Sequence, residues 1–229
     1  MLGNGRQRND VSTDVTGVDG CAGGWVAVTL VPSSVRVAVA ATLDGLPLAG
    51  ITGIDIPLGL VATGWRDADL LARRALGRRG MTVFAIPPRA VWACDTYAEA
   101  NRACRDLTGM GCSIQAWGLR RKIAEADEFR RRAAVSLYEV HPELAFAALN
   151  GGVPLTDSKH TRAGLAARRD LLAKAEITPP PRVAGAAEDD LLDAAAVAWS
   201  ARRIAGGLAV VLTSPAQRAD DGTEIAIRY

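Results

Sequence analysis

VTGVDGCAGGWVAVTLVPSSVRVAVA, residues 15–40, is the stretch on which the fold turns. Apolar, β-branched runs over Thr16–Asp19, Trp25–Val31 and Val35–Ala40 are separated by Gly23-Gly24 and by Pro32-Ser33-Ser34, which supply turns. Three β-rich runs joined by turns this short read as an antiparallel meander. A short connector, Thr42–Ala49, leads to a fourth strand over Ile51–Ile56, closed by Pro57.

Beyond Pro57 the apolar period changes from two to about 3.6 residues, the mark of helices. The pattern predicts helices over Asp67–Gly77, with Leu70, Leu71 and Leu76 as buried positions, over Thr96–Leu107, and over Gln115–Ala134. A fifth strand follows at Ser136–His141, and Pro142 opens a helix through Leu149, as proline does at a first helical turn. Helices over Thr161–Ala175 and Ala187–Ile204 come next, the last one stopped by Gly206-Gly207. Two apolar runs, Leu208–Leu212 and Ile225–Tyr229, end the chain. The expectation is an α/β fold with a mixed five-stranded central sheet flanked by helices, in the order of an RNase H-like core. Residues 1–13 read as a disordered leader and residues 14–229 as a single domain.

Composition bounds the function. The 229 residues are 23% charged and 49% hydrophobic, ordinary globular values that argue against collagen-like or wholly disordered chains. Lys and Arg number 27 against 25 Asp and Glu, a net charge of +2 that rules out a histone-like polycation but not a local basic groove. All but 3 of those 27 cations are Arg, which suits either phosphate recognition or a GC-rich coding sequence. No apolar run approaches the roughly 18 residues of a membrane span. Cys21, Cys94, Cys104 and Cys112 form no Cys-x-x-Cys pair, so a zinc knuckle is not expected. Free thiols point to a reducing, cytoplasmic compartment.

The acids carry the chemistry. Asp19 lies at the end of an apolar strand, Asp55 is flanked by isoleucines in Gly53-Ile-Asp-Ile-Pro57, and Glu139 lies in Tyr138-Glu-Val-His-Pro142. Asp189, Asp190 and Asp193 open the last helix, where residues three apart face the same way. A carboxylate in an apolar strand is costly to bury unless a cation or donors compensate it. Hard divalent ions prefer such oxygen ligands, and two of them about 4 Å apart can drive in-line phosphodiester cleavage. Each acid also has a plainer reading: Asp19 as a hairpin-turn residue, Asp55 as a turn cap, Asp189 and Asp190 as partners of the helix dipole.

Gly17-Val-Asp-Gly-Cys-Ala-Gly-Gly-Trp25, Ile54-Asp-Ile-Pro-Leu-Gly59, Gln115-Ala-Trp-Gly-Leu119 with Lys122-Ile123, Glu139-Val-His-Pro-Glu143 and Asp189-Asp-Leu-Leu-Asp-Ala-Ala195 resemble the domain of unknown function 429 family. The resemblance spans Gly17 to Gly207 and implies an RNase H-like nuclease related in fold to the Holliday-junction resolvases. By the resolvase pattern, Asp19, Asp55, Asp190 and Asp193 would be catalytic and would ligate Mg²⁺ or Mn²⁺. Glu139 has no clean counterpart there; it would be a further catalytic acid, or its neighbour His141 would position water or phosphate.

Gln115, Trp117 and Lys122 could bring an amide, an indole and a cation to a nucleic-acid strand, or form an amphipathic helix with Trp117 in the core. Lys159, in Ser158-Lys-His-Thr161, resembles the family's Ser-Lys-Lys-Thr stretch and could meet a phosphate, or the stretch could cap the following helix. The expected function is a metal-dependent nuclease acting on DNA or RNA. A non-catalytic nucleic-acid- or protein-binding module and a metal-dependent phosphoesterase for a small molecule stay open, as does a homodimer.

Overall fold

The computed structural model describes residues 14–229; the leader expected over residues 1–13 lies outside the described residues. The opening stretch forms β1 (Val15–Cys21), β2 (Gly24–Val31) and β3 (Ser34–Ala40), paired antiparallel in sequence. Two-residue turns join them, since Cys21 pairs with Gly24 and Val31 with Ser34. β4 (Ile51–Ile54) runs parallel to β1 on its other side, and β5 (Ser136–Glu139) runs parallel to β4. The order β3-β2-β1-β4-β5, a meander continued by parallel crossovers, is an RNase H-like sheet.

A parallel pair needs a long connection. The one from β4 to β5 carries α1 (Asp67–Leu76), α2 (Tyr97–Thr108), α3 (Ile114–Gly118) and α4 (Arg120–Arg132). After β5 come α5 (Pro142–Leu149), α6 (Arg162–Lys174) and α7 (Glu188–Ala205), then a hairpin of β6 (Val211–Arg218) and β7 (Glu224–Arg228). That hairpin is a sheet of its own, touching the main one through a bridge between Val140 and Arg228.

Two apolar layers sandwich the sheet. Val15, Cys21, Val26, Val28 and Leu30 pack on one face with Phe146 of α5, Leu172 of α6 and the alanines of α7. Val18, Trp25, Ala27 and Ile54 pack on the other with Ala116 of α3 and Ile123, Ala126 and Phe129 of α4. Full burial of each large apolar side chain contributes about 1.5–3 kcal/mol. In α7, every residue from Leu191 to Ala198 is buried. Such a helix is fixed by the core, and so is whatever its first turns carry.

Three details depart from the sequence reading. The expected helix over residues 115–134 is two, α3 and α4, with the break at Leu119 after Gly118, where glycine weakens a helix. In α1 the buried stripe is Ala68, Asp69, Ala72 and Leu76, and Leu70 is exposed. Small alanines rather than leucines let α1 lie close to its neighbours. The expected strand at Leu208–Leu212 begins later, at Val211, and continues to Arg218 through Pro215 and Gln217. Proline is tolerated there because the two-stranded ribbon has only edges.

Candidate functional site

Alternate residues of a strand face the same way, so Gly17 and Asp19 share one face of β1, and Gly53 and Asp55 share the same face of the β4 line. Gly17 pairs with Gly53 in the parallel register, and the Asp55 N–H extends that ladder to the Val18 carbonyl at 2.9 Å. Helix α7 crosses this face on the glycines. A Cβ on Gly17 would lie 2.0 Å from the Ala198 nitrogen and 2.2 Å from the Ala194 carbonyl oxygen. One on Gly53 would lie 2.9 Å from Val197 Cγ1. Asp190 and Asp193 precede Ala194 and Val197 by one helical turn, on the same stripes. The glycines seat the helix, and the aspartates two residues further on meet its acidic opening.

The electrostatics follow from that convergence. Burial, then the charges of Asp55, Asp193 and Asp190, hold Asp19 well above the usual carboxylate range, although Gly20 N–H donates to its Oδ1 at 2.7 Å. Burial and then Asp193 push Asp55 up to about 8. Burial pushes Asp193 up to about 6, against the pull of Lys159. Asp190 is half-buried and also raised, chiefly by burial, while its carboxylate accepts the Ala187 N–H at 3.2 Å. The helix-start reading of Asp190 is thus met by its bond to the Ala187 N–H.

Lys159 comes from the loop before α6. Its Nζ donates to Asp193 Oδ2 at 2.6 Å and stands 3.9 Å from Asp189 Oδ2. Burial works against its charge, but the surrounding carboxylates, Asp193 foremost, outweigh that and keep the ammonium above its ordinary range. The Thr161 hydroxyl caps α6 by accepting the Gly164 N–H at 3.0 Å, so this short stretch both caps a helix and places a cation. Lys122 sits at the other side, with Nζ bonded to the Gly24 carbonyl and 4.0 Å from the centre of the Trp25 ring.

Two adjoining clefts open over the acids. Asp19, Asp55, Lys122, Glu139 and His141 line one. Asp55, His141, Glu143, Lys159 and Asp193 line the other, and Thr82 and Phe84 belong to both. His141 caps α5, its Nδ1 accepting the Glu143 N–H at 3.3 Å, and burial lowers its pKa to about 4. The ring is thus neutral, with Nε2 as its donor.

Other expected site residues lie elsewhere or are engaged. Glu139 Oε2 accepts from Arg66 Nη2 at 2.5 Å and from the Leu58 N–H at 2.7 Å. Burial pushes Glu139 up to about 7 even so. Gln115 is exposed on α3, and Trp117 is buried beside Trp92, ring centroids 6.2 Å apart. Neither is among the residues lining the two clefts.

Sequence reasoning passed over the buried supports. Arg66 is fully buried between Glu139 and Asp69, whose other oxygen accepts the Ile86 N–H at 2.9 Å. Arg168 is fully buried on Glu143 at 2.5 Å, with Arg79 on the same oxygen at 3.2 Å. The one signal in the letters was Asp69 on the apolar stripe Ala68, Ala72, Leu76, a buried acid in need of a partner.

The family resemblance implies divalent cations at these acids, and the donors are of the right kind. All are carboxylate oxygens, and Asp19 and Asp55 are crowded by more negative than positive charge. Asp19, Asp55, Asp190 and Asp193 would hold the ion. Among the described residues, no three acidic, histidine or cysteine side chains already stand grouped to grip one. Instead, Asp193 is held by Lys159.

A model of the DUF429 family, proteins of unknown function, matches residues 17–218, from β1 to the end of β6, and so takes in every acid described above. No curated protein and no solved structure matches the chain. Among the described residues, no helix is long and apolar enough to cross a membrane. The sheet order, the acids at its strand ends and the family match coincide over the same residues, and the chain belongs to the DUF429 family.

Proposed function

We propose that the protein hydrolyses phosphodiester bonds of nucleic acid with divalent metal held by Asp19, Asp55, Asp190 and Asp193. The observation that carries this reading is the meeting of buried β1, β4 and α7 carboxylates, where burial raises all three and the neighbouring acids raise Asp19 and Asp55 further. Bound Mg²⁺ or Mn²⁺ would supply an activated water and neutralise the leaving oxygen. The chain's own groups have separate tasks. Lys122 and Lys159 border the clefts and can face a phosphate, and neutral His141, hydrogen-bonded to the Thr82 backbone, lines both clefts. Glu139 is a positioning residue, fixing Arg66 and the Leu58 N–H beneath the site.

A second reading, a phosphoesterase for a small molecule, draws support from Trp117, whose place in the core leaves the clefts without that aromatic platform. Free thiols at Cys21, Cys94, Cys104 and Cys112 support the reducing compartment expected for either.

The test is cleavage of single-stranded, duplex and branched DNA and RNA, with a chromogenic phosphodiester alongside, in Mg²⁺ or Mn²⁺. Metal-dependent cleavage of a polymer by wild type, lost in Asp19→Asn, supports the nuclease. Turnover of the small ester alone moves the reading to the second. Wild type that binds no divalent ion by calorimetry overturns both.

A further inference from the structure

We infer that Lys159 is a tethered cation that holds the acid cluster until a divalent ion displaces it. The inference rests on the metal-dependent reading above and adds an order of events to it.

The cluster brings Asp19, Asp55, Asp190 and Asp193 together, yet Asp193 spends its Oδ2 on an ammonium 2.6 Å away. Magnesium binds oxygen at about 2.0–2.1 Å and demands near-octahedral geometry, so Asp193 cannot turn fully to an ion while it holds Lys159. The charge of Lys159 also reaches Asp19 and Asp55, favouring their ionised forms. One ammonium is thus serving three candidate ligands.

The other cations near the clefts are bonded to groups outside the four acids. Lys122 is bonded to the Gly24 carbonyl, and Arg79 and Arg168 are bonded to Glu143. Exposed His160 lies 3.3 Å from Asp189, which is not among the four. Lys159 differs from them in attachment as well. It sits in the loop between α5 and α6 with a partly exposed side chain on a flexible four-carbon stem, so it can leave without disturbing the core. A divalent ion carries twice its charge and competes for the same carboxylate. Once displaced, the ammonium stays beside the cleft, where a phosphodiester anion is its natural partner. Metal binding would then prepare the site for substrate, and substrate would follow metal.

The chain has 3 lysines, Lys122, Lys159 and Lys174, so amine acetylation read by peptide mass spectrometry resolves each one. With saturating Mg²⁺ or Mn²⁺ and no substrate, Lys159 should label several-fold faster, while exposed Lys174 on α6 keeps its rate. By calorimetry, Lys159→Gln should bind the ion about tenfold more tightly, or about 1.4 kcal/mol. Lys122→Gln removes the same charge without freeing a ligand, and should change affinity by less. Metal that binds wild type without raising Lys159 labelling overturns the inference and leaves the nuclease reading standing. So does equal tightening by the two variants. Absence of divalent binding to both wild type and Lys159→Gln overturns the inference and the reading together.

Discussion

Gly17 of β1 and Gly53 of β4 stand opposite each other in the parallel ladder, and α7 lies on both. Each is two residues before a site aspartate on the same face of the sheet, so the closeness of the helix and the convergence of the acids are one geometric fact. A larger residue at either glycine lifts the helix and with it Asp190 and Asp193.

The two glycines should differ in sensitivity. The Cβ of Gly17→Ala would meet backbone atoms of Ala198 and Ala194 at 2.0 and 2.2 Å, whereas that of Gly53→Ala meets a valine methyl at 2.9 Å. Overpacking typically costs about 1–3 kcal/mol. Gly17→Ala belongs at or above the top of that range and Gly53→Ala near the bottom. At roughly 2–4 °C per kcal/mol for a chain of this size, thermal melts separate them. Equal melting temperatures would show that α7 is not seated on β1.

The acid cluster should make the metal-free protein less stable as pH rises. Burial, then Asp193, pushes Asp55 up to about 8 in the fold, against 3.8 for an ordinary aspartate. Its stabilising contribution is therefore complete below pH 3.8 and is lost as pH climbs through 8. Asp55→Asn removes that loss and should gain at least about 1.4 kcal/mol at pH 8, the worth of one pKa unit. Urea midpoints with a chelator at pH 5 and pH 8 test this. Added Mg²⁺ should recover stability in wild type and not in the variant. A variant weaker than wild type at pH 8 would show that burial and Asp193 do not raise Asp55.

Much of this could be read from the letters, and the reasons are local. Alternation and turn residues over 15–40 encode the meander, and the doubled Gly-x-Asp marks both strand acids. Partners distant in sequence are not encoded locally. Nothing around Lys159 announces Asp193, 34 residues later, and nothing around Arg66 announces Glu139, 73 residues later. The Leu70 reading failed because periodicity counts hydrophobicity, while the space beside α1 favoured alanine. For Trp117 the letters allowed a nucleic-acid face or a core position under a basic helix face, and the indole is core.

Arg66 is expected to be a structural keystone beneath the site. It is fully buried, donates to Glu139 and lies 3.7 Å from Asp69. Arg66→Met leaves two buried carboxylates without their cation, a loss of about 3–5 kcal/mol. Combining it with Glu139→Gln and Asp69→Asn should restore part of that, because neutral amides need no counter-charge. Denaturant midpoints of the single and triple variants measure the coupling. If Arg66→Met unfolds no earlier than wild type, the triad is not a support.

His141 supplies the acid-side counterpart to Asp55. Burial lowers it to about 4 from 6.5, so its neutral ring belongs to the fold and its charged ring to the unfolded chain. A depressed histidine contributes stability that is complete above pH 6.5 and is lost as pH falls through 4. The span of about 2.5 pKa units corresponds to about 3 kcal/mol. Asp55 gains stability over part of the same range, so melting curves alone would mix the two. Proton NMR separates them, because the chain has 2 histidines and His160→Asn assigns the ring signals. A His141 midpoint near 4 is expected, together with an acid limb that flattens in His141→Asn. A midpoint near 6.5 would mean that the ring is solvated and that its place at the start of α5 is not a buried one.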